Sequence, residues 1–249
     1  MAYTEAAPKR GLDVSDCVFY HSVDLPSGPQ AGIWDLRGRF DEYIGHQQLD
    51  GRTVLDVGTA TGFLSFEAES RGAQVTSFDA RSAALWHELP IPGTQFVDDH
   101  PAWLQAAERW YEGIRNSYWL CHEELASTAR YLSGDVYELE GDQYEVVVMG
   151  QILVHLRDAI SALAAAARVC ADTLIVVEGS MKDKAPIAGL CGRAGGEITQ
   201  AWYHYSHGWY REVLAILGFR DVKITSGVYR CNDALHPRKI ELATVAATR

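Results

Sequence analysis

The spacing of apolar residues changes several times along this chain, and each change marks an element. In residues 33–49, Ile33, Leu36, Phe40, Tyr43 and Ile44 recur at three-to-four-residue intervals, which predicts an amphipathic helix packed beside the main domain. Thr53–Val57 is a short run rich in branched residues, and it enters Gly58-Thr59-Ala60-Thr61-Gly62. Residues 63–71 then read as a helix stopped at Gly72, so the order is strand, tight turn, helix. Further strands are predicted at 73–78, 144–149 and 173–177; Val146, Val147 and Val148 are uninterrupted, as a strand covered on both faces requires. An alanine- and leucine-rich helix at 158–170 separates the last two, and a helix at 208–217 precedes strands at 222–228 and 240–247. Strands alternating with helices predict an α/β fold with a doubly wound, mostly parallel seven-stranded sheet and an antiparallel edge strand. The expected division is a helical lid segment at 1–49 and one α/β domain at 50–249. Its inserts, at about 90–128 and 180–206, are long enough to build lids or interfaces.

Composition narrows the function more than the fold. The formal net charge of −11 repels phosphate backbones, which disfavours nucleic acid as a partner. No apolar run approaches the roughly 20 residues needed to cross a bilayer. Residues 1–11 hold no apolar stretch that could act as a secretory signal, so a cytoplasmic location is expected. Cys17, Cys121, Cys170, Cys191 and Cys231 are scattered and form no C-x-x-C pair, a pattern of reduced structural thiols.

The turn after the first of these strands carries the main chemical signal. Glycines there let backbone approach a ligand at the start of a helix. A dinucleotide fingerprint fails, because Ala60 and Phe63 stand where its second and third glycines belong. Asp56, just before the loop, would repel a pyrophosphate but suits a ligand with an ammonium and a sulfonium. Val54-Leu55-Asp56-Val57-Gly58-Thr59-Ala60-Thr61-Gly62 resembles the first motif of the class I S-adenosylmethionine-dependent methyltransferases. Ser77-Phe78-Asp79-Ala80 adds an acid at the next strand end, where a carboxylate accepts ribose hydroxyls. Ser133-Gly134-Asp135-Val136 resembles the family's third station, and residues 148–156, ending in His155-Leu156, resemble its fourth-strand segment. The resemblance covers about residues 50–178. It implies that S-adenosylmethionine is held by Asp56, Gly58, Thr59, Ala60, Gly62, Asp79, Ala80, Gly134, Asp135, Val136 and Gln151, and that a methyl group passes to a small molecule. Asp135 would meet the adenine amino group, with Val136 packing on the ring.

For the acceptor side the residues leave alternatives open. His155, His204 and His207 are the candidate catalytic groups, since histidine titrates near neutrality. His155 reads as a general base or as a residue that only orients the helix, and Gln151 as a cofactor contact or a helix start. Tyr20, His21, Trp34 and Arg37 are candidates for a pocket-covering N-terminal segment, which could also simply shield the sheet. Trp202 and Tyr205 belong to an aromatic stretch suited to roofing a pocket or to packing. His204 and His207 have a helical spacing that could suit a metal, but no acidic third ligand lies nearby and no metal is expected. Alternatives to small-molecule methylation are a non-methylating reaction on the same cofactor, RNA modification, and a noncatalytic partner subunit; a homodimer is compatible with the aromatic inserts.

Overall fold

The structure, a computed structural model, describes residues 3–194, 196, 200–232 and 237–249. The chain opens with β1 (Tyr3–Glu5), then β2 (Val23–Leu25), β3 (Gly28–Gln30), β4 (Trp34–Asp35) and a single helical turn, α1 (Phe40–Tyr43). The alternating part follows as β5 (Thr53–Val57), α2 (Phe63–Ser70) and β6 (Gln74–Ala80). After it come α3 (Gln95–Asp98), α4 (His100–Glu124), β7 (Arg130–Gly134), β8 (Tyr144–Gly150), α5 (Ala159–Val169) and β9 (Cys170–Glu178). The remainder comprises β10 (Ser180–Met181), β11 (Ala188–Leu190), β12 (Tyr203–Ser206), α6 (His207–Ile216), β13 (Asp221–Cys231) and β14 (Arg238–Thr248).

Nine strands form the main sheet in the order β1-β7-β6-β5-β8-β9-β14-β13-β4. From β7 to β9 the pairing is parallel, whereas β14, β13 and β4 join antiparallel and β1 is antiparallel at the other edge. The six strands placed from the sequence are present, β7, which had not been placed, makes the expected seventh, and the short β1 and β4 add two more. Side chains alternate between two cores. Val146 and Val148 face the layer holding α2 and α4, while Val147 and Met149 face the layer of α5 and α6. Both faces of the parallel strands are thus covered, which is why their sequence is apolar without a break.

Residues 33–49 depart from expectation. They form a two-residue strand and one helical turn, not a long helix. Leu36, Phe40, Tyr43 and Ile44 are nevertheless buried, so the periodicity reported burial correctly and conformation wrongly. Gly38 and Gly45, at φ of +69° each, take left-handed backbone that breaks the helix on either side of α1. The insert at 90–128 contains instead the 25-residue α4, started by Asp99, whose carboxylate accepts from Ala102 N at 3.2 Å. The insert at 180–206 folds with β12 between β10 and β11 as a separate small sheet.

Candidate functional site

The chain winds outward from β5 to β7 on one side, then returns to place β8 and β9 on the other. At such a reversal the loops after adjacent strands diverge, leaving a crevice at the carboxyl ends. A cavity of about 220 Å³ lies there, between Gly58 and Ala60 after β5, Asp79 and Ala80 at the end of β6, and Gly150 and Gln151 at the end of β8.

The glycine loop is shaped by its own hydrogen bonds. Gly58 N and Thr59 N both donate to Phe78 O, at 2.8 and 3.2 Å, which draws the loop over the end of β6. Gly58 has φ +80°, and a Cβ there would stand 2.3 Å from Ile152 Cγ2, so only glycine closes this wall. Gly62 starts α2 at φ +86°, where a Cβ would meet Phe66 at 2.4 Å. Ala60 and Gln151 hold positive φ without being glycine, at +47° and +56°, and both line the cavity. Strained backbone of this kind persists where surrounding structure enforces it, and functional sites are its usual setting.

Three acids were placed near this loop by the sequence, and the structure separates their positions. Asp79 lines the cavity, with Oδ2 accepting from Ala60 N at 2.8 Å and Oδ1 from Ala80 N at 2.7 Å. Burial raises its pKa, opposed by those same two backbone bonds. Asp135 also lines the cavity, where it caps the turn at Val136–Glu138 by accepting from Tyr137 N at 3.0 Å. Asp56 does not line it. Its carboxylate is 1% exposed and points beneath the loop, where Oδ2 accepts from Ser65 Oγ at 2.7 Å. Ser65 Oγ also meets Ser77 Oγ at 2.7 Å and Thr59 Oγ1 at 3.0 Å, and Tyr118 donates to Ser77. Burial pushes the Asp56 carboxyl up to about 6, and Oδ1 is left without a partner. The expectation of Asp56 at the mouth of the turn is therefore corrected: it organises the loop from below, and of these three acids only Asp79 and Asp135 lie on the wall. Thr59, Gly62 and Gly134 likewise shape the loop or strand ends and do not line the cavity.

The N-terminal segment closes one side. Thr61 Oγ1, buried in the glycine loop, accepts from Tyr20 N at 2.8 Å and His21 N at 3.2 Å. Those bonds put both Tyr20 and His21 on the cavity wall. His21 is 7% exposed, its Nδ1 has no partner, and burial lowers its pKa to about 3, so the ring is neutral at physiological pH. Trp34 and Arg37 stand outside the cavity. Trp34 is buried behind this segment and donates its backbone N–H to Tyr20 O at 2.9 Å. Arg37 pairs with Asp24 at 2.7 Å and Asp35 at 2.8 Å, which leaves it a surface structural role.

His155 lies on the wall at the turn after β8, where Nδ1 donates to Gln200 O at 2.6 Å. A carbonyl can only accept, so Nδ1 carries the hydrogen and Nε2 keeps a lone pair. Crowding by surrounding protein lowers the pKa of this ring. His204 and His207 are elsewhere. Strand β12 ends at Ser206 and α6 begins at His207, so the two share no helical face. His204 is exposed, and His207 meets Ser180 Oγ at 3.1 Å beside Lys182 and Arg211. Tyr205 is buried against Trp209, with ring centroids 4.0 Å apart, and is a core residue. Trp202 supports the wall from outside by donating Nε1 to His87 O at 2.8 Å.

Several wall residues had not been singled out. Trp86, His87, Glu88, Trp103 and Trp110 line the cavity from the segment after β6 and the start of α4. Trp103 and Trp110 belong to the aromatic insert at 90–128, which marked a surface but not what it faced, and Trp86, His87 and Glu88 precede it. Glu178, at the end of β9, is 2% exposed and accepts from Leu153 N at 2.7 Å, with Gln151 Nε2 at 3.4 Å. Burial pushes its carboxyl up to about 8. An acid closing a run of apolar strand residues, as Asp79 closes β6, is a legible sign of such a position.

No protein-family model matches the sequence, and neither does any curated protein. Solved structures do match in fold. A magnesium protoporphyrin IX methyltransferase from Synechocystis PCC 6803, with S-adenosylhomocysteine bound, aligns at a TM-score of 0.52 and 15% identity, covering 84% of this chain and 80% of that one. A SAM-dependent methyltransferase from Methanosarcina mazei aligns at 0.52 and 16% identity, covering 86% and 98%. The chain therefore has the Rossmann-like fold of the class I S-adenosylmethionine-dependent methyltransferases.

Proposed function

We propose that this protein is an S-adenosylmethionine-dependent methyltransferase acting on a small molecule. The observation that carries the reading is the charge of the cavity wall. Asp79 and Glu88 and Asp135 lie on it, and among the described residues no lysine or arginine does. A diphosphate would meet only repulsion from those carboxylates, whereas a sulfonium compound with an ammonium group meets attraction. The glycine loop fits the same ligand, since the bare Gly58 backbone leaves room for close approach.

Asp79 would hold the ribose hydroxyls through the lone pairs that its two backbone bonds leave free. Asp135 and Val136 would hold the adenine, and Gly58, Ala60 and Gln151 the methionine end. Bound there, the cofactor supplies an electrophilic methyl group for in-line displacement. The residues around it then mainly align the acceptor and exclude water, and such positioning is worth up to about 7 to 11 kcal/mol of barrier. The neutral His155 ring, with Nε2 unprotonated, is suited to taking a proton from the acceptor. The fold and the acidic wall support the cofactor, and the aromatic insert supports a small-molecule acceptor.

Incubation with methyl-labelled S-adenosylmethionine and a metabolite extract tests the reading. Label should pass to a small organic product with equimolar S-adenosylhomocysteine. Tight cofactor binding with neither product would reject methyl transfer while sparing the site.

A further inference from the structure

One wall of the cavity is made by residues that the cofactor stations do not include. Trp86, Glu88 and Trp103 come from the segment after β6 and the start of α4, with Trp110 one helical stretch further on. Trp86 and Trp110 meet edge to face at a centroid distance of 5.5 Å. Glu88 is half-buried and lines the same cavity as these rings. Its Oε1 accepts from Trp103 Nε1 at 3.0 Å, and Gln200 Nε2 approaches the same oxygen at 3.5 Å. Gln200 in turn accepts the His155 bond through its backbone oxygen, so this carboxylate and the candidate base are tied to one roof segment.

Among the described residues Glu88 takes part in no ion pair, and its Oε2 has no hydrogen-bond donor. A carboxylate held in a partly dehydrated apolar setting loses solvation that neutral donors replace only in part. A cation placed against it recovers that loss, and indole rings lining the same cavity can attract the same charge through their quadrupoles. An anionic ligand would face three wall carboxylates with no balancing cation.

Resting on the methyltransferase reading above, we propose that Glu88, framed by Trp86, Trp103 and Trp110, is the recognition site for an ammonium group on an aromatic methyl acceptor. The acceptor class is then arylalkylamines and similar cationic aromatic metabolites, and aromatic acids and phosphorylated compounds are excluded. Glu88 is a specificity-determining residue, and the Trp103 indole N–H is the group that positions its carboxylate.

The test uses three probes of matched size: phenethylamine, 2-phenylethanol and 3-phenylpropanoate. Each is titrated calorimetrically into the full-length protein saturated with S-adenosylhomocysteine, at concentrations reaching roughly ten millimolar. Phenethylamine should bind at least about tenfold more tightly than 3-phenylpropanoate, with the alcohol between them. Glu88→Gln should bring the amine down to the level of the alcohol, and Glu88→Asp should keep the amine first. Saturation of each protein with S-adenosylhomocysteine is checked first by titrating that nucleoside alone, so that the probes are compared on the same liganded state. An amine preference that survives Glu88→Gln, equal binding of acid and amine, or no binding of any probe would overturn the assignment. Failure of the wild-type protein to bind S-adenosylhomocysteine would instead strike the methyltransferase reading itself.

Discussion

Buried acids give this protein a distinctive titration. Glu178 has a folded-state pKa of about 8 against an ordinary value of 4.5, because burial penalises its charged form. Between those values the folded protein binds more protons at this site than the unfolded chain does. Stability must therefore fall as pH rises through that window, by at most about 1.4 kcal/mol per pH unit for one group. Urea denaturation of wild type and Glu178→Gln across pH 5 to 8 checks this: the variant should gain on the wild type as pH rises, and a constant difference would refute the assignment. His155 has the opposite sign of interest. Its lowered pKa keeps Nε2 free at neutral pH, so the acidic limb of kcat/KM should fall below pH 6.5. His155→Gln should remove that limb and cost about 10² to 10⁴ fold in rate if the ring is the base, whereas an orienting role would leave the pH profile intact. At this scale the sequence was partly legible. Asp79, Asp135, Ala60, Gln151, His155, Tyr20 and His21 were all named in advance and share one cavity wall. Asp56 was named for the wrong surface, because strand alternation says which face a side chain takes but not whether a loop folds over it.

At the scale of elements, the strands and helices of the alternating part were legible because a doubly covered strand and an amphipathic helix each leave a period in the sequence. The segments that roof the site follow no such period. Residues 33–49 bury the same apolar side chains whether helical or not, and glycine backbone decided against the helix. Helix α4 was seen only as a tryptophan-rich insert. The docking of Tyr20 and His21 onto the glycine loop uses one side chain, Thr61, which serves two backbone donors at once. Thr61→Val keeps the shape and removes the acceptor, stranding both N–H groups. The loss should be about 1 to 3 kcal/mol of stability, with faster proteolysis ahead of β2 and a weakened hold on any ligand that Tyr20 and His21 touch. Unchanged proteolysis would show that the segment's other contacts hold it, such as the bond from Val18 N to Gly113 O of α4 at 2.9 Å.

The whole molecule combines a common sheet with a site whose charge is all of one sign. Order reversal between β5 and β8 provides the crevice, and the wall acids decide what enters it. That wall follows the overall charge of −11 and contrasts with the basic edge near Lys182 and Arg211, which lies apart from it. The central claim is that the wall selects a sulfonium nucleoside over a dinucleotide. Isothermal titration with S-adenosylmethionine, S-adenosylhomocysteine and NAD tests this most directly. S-adenosylmethionine and S-adenosylhomocysteine should bind one to one, Asp79→Asn should weaken both by at least about tenfold through the lost ribose contacts, and NAD should give no heat. Binding of NAD in preference to either nucleoside, or S-adenosylmethionine affinity indifferent to Asp79→Asn, would contradict the account.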